Sequence, residues 1–246
     1  MISDSFYFGR KKSCFGHYTP AQEFAQGRSV LIVPSIFGEA LRTHWVNREV
    51  SKLLTGQGYD VLRFDFDGDG NSRSETTTVS AQDWVGNIQD AYAALVARSK
   101  ATSVAVYAIR FGAGLSLSAL QAYPVESYVL WDPIISGKTM RDVFAGPAIS
   151  TDNVPPMNAP FSPKARLSGF SQVGLGKEFS ETFLQINDVK TPDCNIQVIR
   201  TEPSIEKLEG LSASQIVDVN YPTDWQMNDL PVIFAPKLIS TVCEYL

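Results

Sequence analysis

The chain has 246 residues, of which 44% are hydrophobic and 19% are charged, and its formal net charge is −5. This is the composition of an ordinary globular protein, and we expect a single domain over residues 1–246. The acidic balance and the lack of a basic stripe argue against a nucleic-acid-binding protein, in which lysines and arginines cluster.

The sequence gives no sign of a leader segment, a membrane span or a metal site. Its first residues, MISDSFYFGRKKSCFGHY, contain no continuous apolar run, and no later stretch reaches the roughly 18 apolar residues that a span requires. We therefore expect a cytoplasmic protein. Cys14, Cys194 and Cys243 are far apart and odd in number, which predicts neither a disulfide framework nor a zinc site, and we expect no cofactor.

Short runs rich in β-branched residues recur along the chain. An opening hairpin over SFYFG and SCFGHY precedes apolar runs at residues 29–35, 59–66, 103–109, 127–133, 194–201 and 214–221. These runs are apolar throughout and do not alternate with polar residues, which is typical of strands buried on both faces.

Segments with helical periodicity separate these runs. Apolar residues at helical spacing end before Gly56, begin again after Ser80, which is a typical N-cap residue, and recur from Val232 to Leu246. Strict alternation of strand and helix predicts an α/β fold, with right-handed βαβ units on a mostly parallel central sheet flanked by helices.

The alternation stops between about residues 137 and 192, where the chain is rich in Pro, Gly, Ser and Asn. Connections this long inside a compact domain are usually functional lids or disordered insertions. Because LSGFSQVG and FSETFLQI keep large apolar residues, we expect an ordered cap insertion over the carboxyl edge of the sheet.

The run at residues 103–109 leads directly into a small-residue turn, YAIRFGAG at residues 107–114, and then into an apolar helix start. A strand, a sharp turn and a helix in this order form the setting of a nucleophile elbow, whose pattern is G-x-S-x-G. Here Ala108 takes the first glycine position and Arg110 takes the serine position. A guanidinium cannot attack a carbonyl carbon, so this turn carries no nucleophile.

Several motifs in the right order resemble the α/β-hydrolase fold over nearly the whole chain. They are the FDFDGDGNS loop, the AIRFGAG turn, the LWDPIISG strand end, the cap and the final helix. Within that superfamily, the VPSIFGEALRTH loop and the arginine-bearing turn are most similar to exosortase-associated hydrolase-like proteins, and more distantly to serine aminopeptidase-type hydrolases. The closer resemblance implies a role near polysaccharide assembly or modification.

The resemblance also implies positions for a catalytic triad, which this chain does not complete. The nucleophile position falls on Arg110, and the acid position falls on Glu202. The histidine position falls near Asp224 and Trp225, within PTDWQMNDLP, a segment that contains no histidine. A triad works because the base takes the proton of the nucleophile, so with both roles vacant the chain is not expected to be a working esterase.

Both histidines of the chain, His17 and His44, stand near its beginning, and neither is placed like a triad base. The resemblance leaves the oxyanion machinery in place: the backbone N–H groups of Phe111 and Ile36 point at the mouth of a helix N-terminus. Such a place favours negative charge.

One interpretation is that the vacant pocket binds a small anion. Arg110 and the N–H groups of Phe111 and Ile36 would donate to the anion, with Ser35 and Glu39 beside them. A guanidinium fork suits two oxygens of a carboxylate, phosphate or sulfate group.

The other interpretation of Arg110 is a structural plug. A buried arginine needs a carboxylate partner, and Glu39 and Glu202 are the expected partners, with Asp224 third. A carboxylate of the protein and an external anion would therefore compete for the guanidinium of Arg110.

Two other motifs receive less weight. Asp65, Asp67 and Asp69 resemble the start of a calcium loop, but no glutamate follows at the twelfth position, so we expect a loop that braces the site. Ser136 and Lys138 could form a pair for acyl chemistry.

Three functions remain open on the sequence. The chain is a catalytically inactive anion-binding protein, a hydrolase or acyltransferase acting on ester or acyl substrates with an unrecognised nucleophile, or an interaction protein that uses the cap or the sheet edge. Fold alone does not choose among them, and the sequence predicts no oligomeric state.

Overall fold

The computed structural model describes residues 3–22, 27–99, 101–145, 181–186, 189–201, 211–221, 223, 225, 233 and 235–246. Within these ranges, one sheet of eight strands forms the centre of the molecule, and helices pack on both of its faces. This arrangement confirms the predicted α/β fold.

The strands are β1 (Asp4–Phe8), β2 (Cys14–Thr19), β3 (Arg28–Val33), β4 (Asp60–Asp65), β5 (Ser103–Ile109), β6 (Ser127–Trp131), β7 (Asn195–Arg200) and β8 (Gln215–Asp218). Their order across the sheet is β1-β2-β4-β3-β5-β6-β7-β8. The β1–β2 and β2–β4 pairs are antiparallel, and all other neighbours are parallel. The mostly parallel sheet and the opening hairpin expected from the sequence are therefore both present.

The helices are α1 (Phe37–Gly56), α2 (Ala81–Ser99), α3 (Phe111–Ala119), α4 (Gly137–Ala145) and α5 (Pro236–Tyr245), with short 3-10 helices at Thr76–Thr78 and Thr182–Gln185. α2 begins directly after its predicted N-cap. Ser80 Oγ accepts a hydrogen bond from Asp83 N at 3.2 Å, and Asp83 Oδ2 accepts one from Ser80 N at 3.0 Å. This reciprocal pair satisfies two amides at the start of the helix.

The apolar strands bury side chains on both faces of the sheet, as β5 illustrates. Its successive residues alternate between two apolar clusters, with Val104, Val106 and Ala108 in the first and Ala105, Tyr107 and Ile109 in the second. The first cluster packs under α2 and α3, and the second packs under α1 and α5. Because strand side chains alternate in direction, helices on both faces require the continuous apolar runs seen in the sequence.

The predicted cap insertion at about residues 137–192 is described at its two ends, and its middle lies outside the described residues. Met140 of α4 and Phe183 of the second 3-10 helix are both buried in the first apolar cluster. Gly137 lies so close to Phe183 that a Cβ at this position would collide with the Phe183 carbonyl oxygen. Both described ends therefore pack onto the main domain.

No helix in the described ranges is long and apolar enough to cross a membrane.

Candidate functional site

Arg110 lies in the sharp turn between β5 and α3, at the carboxyl edge of the sheet. Its backbone has φ 53° and ψ −125°, a conformation that is costly for a residue with a side chain and that persists only where the surroundings impose it. Neighbouring backbone packs closely against this turn. Arg110 N donates to the Trp131 carbonyl oxygen at 3.0 Å, and a Cβ on Gly112 would collide with the Pro34 carbonyl oxygen.

The guanidinium of Arg110 is enclosed, since the residue is 4% exposed. Its Nε donates to Glu39 Oε1 at 3.2 Å, and its Nη1 donates to the Asp132 carbonyl oxygen at 3.4 Å. Its Cζ lies 4.8 Å from the centre of the Trp225 ring, within the range of a cation–π contact. Such a group can bind and orient a ligand, but it cannot act as a nucleophile.

Glu39 is the carboxylate partner of Arg110 and lies in the first turn of α1, just beyond the loop where the sequence suggested it. The residue is 4% exposed. Burial raises the pKa of the Glu39 carboxyl above its ordinary value, and the nearby charges of Arg110 and Arg42 work in the opposite direction. Within the described part of the chain, Glu39 Oε2 has no hydrogen-bond partner.

Asp132 is the site residue that the sequence reasoning missed, because the LWDP motif was interpreted only as the end of a strand. It follows β6 with φ 41°, in the left-handed region that residues with side chains rarely adopt. Its Oδ1 accepts from Thr201 N at 2.8 Å, and its Oδ2 accepts from the Thr201 hydroxyl and from Trp225 Nε1, the latter at 2.9 Å. Burial raises the pKa of the Asp132 carboxyl, while these hydrogen bonds lower it.

Trp225 closes the site from the chain segment before α5. Its ring also lies 5.8 Å from the Arg42 Cζ and packs against Trp131 with ring centres 5.1 Å apart. Arg42 Nη2 donates to the Thr223 carbonyl oxygen at 2.6 Å, which ties α1 to the same segment. Near the histidine position that the resemblance implied, the Trp225 indole thus lies close to the guanidinium groups of both Arg110 and Arg42.

The residues proposed to bind an anion are all buried. Ser35, Ile36 and Phe111 are each 0% exposed. The Ser35 hydroxyl lies 3.3 Å from the Thr43 hydroxyl, so it is engaged inside the protein. The first amides of α3, starting at Phe111, have no acceptor within their own helix, as at every helix N-terminus.

The FDFDGDG loop braces the loop that contains Ile36. Asp69 Oδ2 accepts a hydrogen bond from Phe37 N at 3.1 Å, and Asp69 Oδ1 accepts one from Gly70 N at 2.9 Å. Asp67 lies elsewhere and accepts from Asn87 Nδ2 at 3.2 Å. Across the described residues, no group of three or more His, Cys, Asp or Glu could hold a metal ion.

Neither histidine lies at the Arg110 turn. His17 is on β2, where its Nδ1 lies 2.8 Å from the Ser5 hydroxyl, and His44 is exposed on α1. Ser136 Oγ accepts from Thr139 N at 3.4 Å at the start of α4, while Lys138 is exposed. The remaining predicted site residues, Glu202 and Asp224, lie outside the described residues.

The family profile described as serine aminopeptidase, S33, matches residues 40–168, just over half of the chain. This chain belongs to the serine aminopeptidase S33 family. The range that matches the family runs from α1 to beyond α4 and includes Arg110 and Asp132. No protein of curated function matches the chain in sequence.

Solved structures related to this S33 family member share its fold. An esterase from Pyrococcus furiosus is 15% identical, with a TM-score of 0.64 over 100% of this chain and 90% of that chain. Est1E from Butyrivibrio proteoclasticus, solved with ferulic acid bound, is 13% identical, with a TM-score of 0.62 over 94% and 93% of the two chains. An alpha-beta serine hydrolase homologue from Coxiella burnetii is 11% identical, with a TM-score of 0.61 over 100% and 98%. These similarities show an α/β-hydrolase fold.

Proposed function

We propose that this chain is a non-hydrolytic, ligand-binding member of the serine aminopeptidase S33 family. Arg110 takes the place of the nucleophile serine, and its ion pair with Glu39 closes the former catalytic pocket. The observation that carries the proposal is the paired, enclosed guanidinium in the strained turn between β5 and α3.

The histidines support the absence of hydrolysis. A serine hydrolase needs a base within hydrogen-bond reach of its nucleophile. The chain has 2 histidines, and the structure describes both of them away from the Arg110 turn. A site without nucleophile and base retains at most roughly 10³ to 10⁴ over the uncatalysed rate, from oxyanion stabilisation and binding.

The small anion expected from the sequence is the candidate ligand of this pocket, supported by the α3 N-terminus and the arginine fork. An anion must displace Glu39, which lies 3.2 Å from Arg110 Nε and is held there by the fold. We therefore expect weak anion binding in the parent protein. The polysaccharide-related role and the cytoplasmic location stay predictions.

Serine-directed chemistry tests the proposal against a hydrolase with an unrecognised nucleophile. The purified protein is incubated with a fluorophosphonate probe and, separately, with p-nitrophenyl acetate. We expect no stoichiometric labelling of any serine, and ester turnover no faster than that of a matched non-enzyme protein.

The double variant Arg110→Met/Glu39→Met is the control, because it removes both charges of the buried pair and leaves neither of them unpaired. Background hydrolysis should be the same in the parent and in this variant. Stoichiometric labelling of one serine, or turnover that the double variant abolishes while it stays folded, would replace the proposal with the hydrolase alternative.

A further inference from the structure

Four buried charged side chains of the pocket around Arg110 balance one another. Arg42 and Arg110 are cationic, Glu39 and Asp132 are anionic, and each residue is at most 5% exposed. Among the described residues of this pocket, the two positive and two negative charges cancel. An anion that binds next to Arg110 therefore adds an uncompensated negative charge where water hardly reaches, which is unfavourable.

The guanidinium of Arg110 keeps one nitrogen for such an anion. Its Nε donates to Glu39 Oε1 at 3.2 Å, and its Nη1 donates to the Asp132 carbonyl oxygen at 3.4 Å. In the described part of the chain, Nη2 has no hydrogen-bond partner, and unlike Glu39 Oε2 it is not fully enclosed. Because Nε and Nη2 form one edge of the guanidinium fork, an anion at Nη2 lies beside the Glu39 carboxylate.

The two carboxyl groups of the pocket differ in how firmly their ionised forms are held. The Asp132 carboxylate accepts hydrogen bonds from Thr201 N, from the Thr201 hydroxyl and from Trp225 Nε1. Glu39 Oε1 accepts one from Arg110 Nε, while Glu39 Oε2 has no partner among the described residues. Hydrogen bonds to the charged form keep a carboxylate ionised. A new negative charge should therefore protonate Glu39 before Asp132.

We propose that the pocket around Arg110 binds an anion together with one proton, which Glu39 takes up from the solvent. The proton restores neutrality among the buried charges, and it weakens the competition of Glu39 for the guanidinium. This inference rests on the proposed ligand-binding role of the pocket and makes anion affinity depend on pH.

The charges that face Glu39 give the direction of this dependence. Burial raises the pKa of the Glu39 carboxyl, the charges of Arg110 and Arg42 lower it, and the charge of Asp132 raises it. An anion on Arg110 adds a like charge beside Glu39, so this pKa is higher in the complex than in the free protein. A group whose pKa rises on binding takes up a proton. Anion affinity therefore increases as the pH falls through the pKa of the complex, and it levels off below that of the free protein.

An NMR titration with methanesulfonate tests the proposal, because this monoanion stays ionised at every pH used. The amide shift of Phe111, at the start of α3, is followed against methanesulfonate concentration between about pH 5 and about pH 8. In the parent protein, the affinity should rise as the pH falls, by up to about tenfold per pH unit, which is the limit for one linked proton.

Glu39→Gln keeps the shape of the side chain and cannot take up the proton. This variant should bind methanesulfonate more tightly than the parent near neutral pH, with an affinity that does not change with pH. Glu49→Gln is the matched control, because it removes a carboxylate of the same helix that pairs with Lys52. It should keep the pH dependence of the parent. The double variant Arg110→Met/Glu39→Gln should not bind.

Calorimetry of the parent protein counts the linked protons without any variant. The heat of methanesulfonate binding is measured at one pH in Bis-Tris and in imidazole, which differ in ionisation enthalpy. The difference between the two heats gives the number of protons exchanged with the buffer, and we expect net proton uptake on binding.

The outcomes separate this inference from the proposed function. An affinity of the parent that is independent of pH, binding without proton uptake, or a pH dependence that persists in Glu39→Gln would overturn the inference and leave the ligand-binding role in place. If folded Glu39→Gln bound no methanesulfonate at any pH, the anion pocket itself would be wrong, and the inference would be overturned with it.

Discussion

The pocket around Arg110 and the region between α1 and β4 around Asn47 both bury polar groups. They differ in how many of these groups have a hydrogen-bond partner within the protein. Around Arg110, the guanidinium donates to Glu39 and to the Asp132 carbonyl oxygen, and the Asp132 carboxylate accepts from Thr201 and Trp225. Between α1 and β4, Asn47 Oδ1 and Arg63 Nε have no hydrogen-bond partner in the described part of the chain. In the pocket around Arg110 the charged groups pair with one another, although Glu39 Oε2 also has no partner in the described structure, so we expect Arg110 to bind an external anion only weakly.

The Arg110–Glu39 pair should give the largest effect when it is broken. Arg110→Met and Glu39→Met each leave one buried charge without its partner, which costs about 3 to 5 kcal/mol. The double variant removes both charges and should recover most of that loss, because apolar replacements of buried ion pairs are often close to neutral. Urea unfolding of the four proteins gives the interaction energy directly.

If the two single losses simply add in the double variant, Arg110 and Glu39 are not energetically coupled. The pocket would then be open to an external partner for Arg110.

Two buried helix asparagines allow a smaller and sharper comparison. Asn47 on α1 and Asn87 on α2 are each 6% exposed, but Asn87 Oδ1 accepts from Asp67 N at 2.9 Å. Asn87→Leu should lower the free energy of unfolding by about 1 to 3 kcal/mol, because the Asp67 amide loses its partner. Asn47→Leu should leave stability unchanged or raise it by up to about 1 kcal/mol, because an unpaired polar atom is removed.

Chemical denaturation of the two variants measures this difference. Equal destabilisation by both substitutions would mean that Asn47 Oδ1 is satisfied in solution, and the contrast between the two regions would be lost.

The sequence predicted the sheet well because burial on both faces leaves a local signal, namely unbroken apolar runs. It also predicted the turn at Arg110, whose strand, small residues and helix are contiguous. Asp132 and Trp225 were harder, since their roles depend on contacts between distant segments. Trp225 Nε1 reaches Asp132 across 93 positions of the chain, and no local pattern records such a contact.

Asn47 shows a different limit of sequence reasoning. Nothing in the helical periodicity of α1 distinguishes a paired asparagine from an unpaired one. Its significance depends on counting hydrogen-bond partners in three dimensions. Glu39 was found from the sequence because a buried arginine requires a nearby carboxylate, which is a rule about charge and not about chain position.

The most direct test of the central claim is whether Glu39, and not an external anion, neutralises Arg110. Thermal unfolding is measured with acetate, phosphate and sulfate for the parent, for Glu39→Gln and for the double variant Arg110→Met/Glu39→Gln, with sodium chloride at matched ionic strength. Glu39→Gln frees the guanidinium, so the account predicts that anions raise the melting temperature of this variant well above the small rise in the parent, and leave the double variant at its chloride value. An equal anion-dependent rise in the parent, lost in the double variant, would contradict the account and make Arg110 an anion receptor.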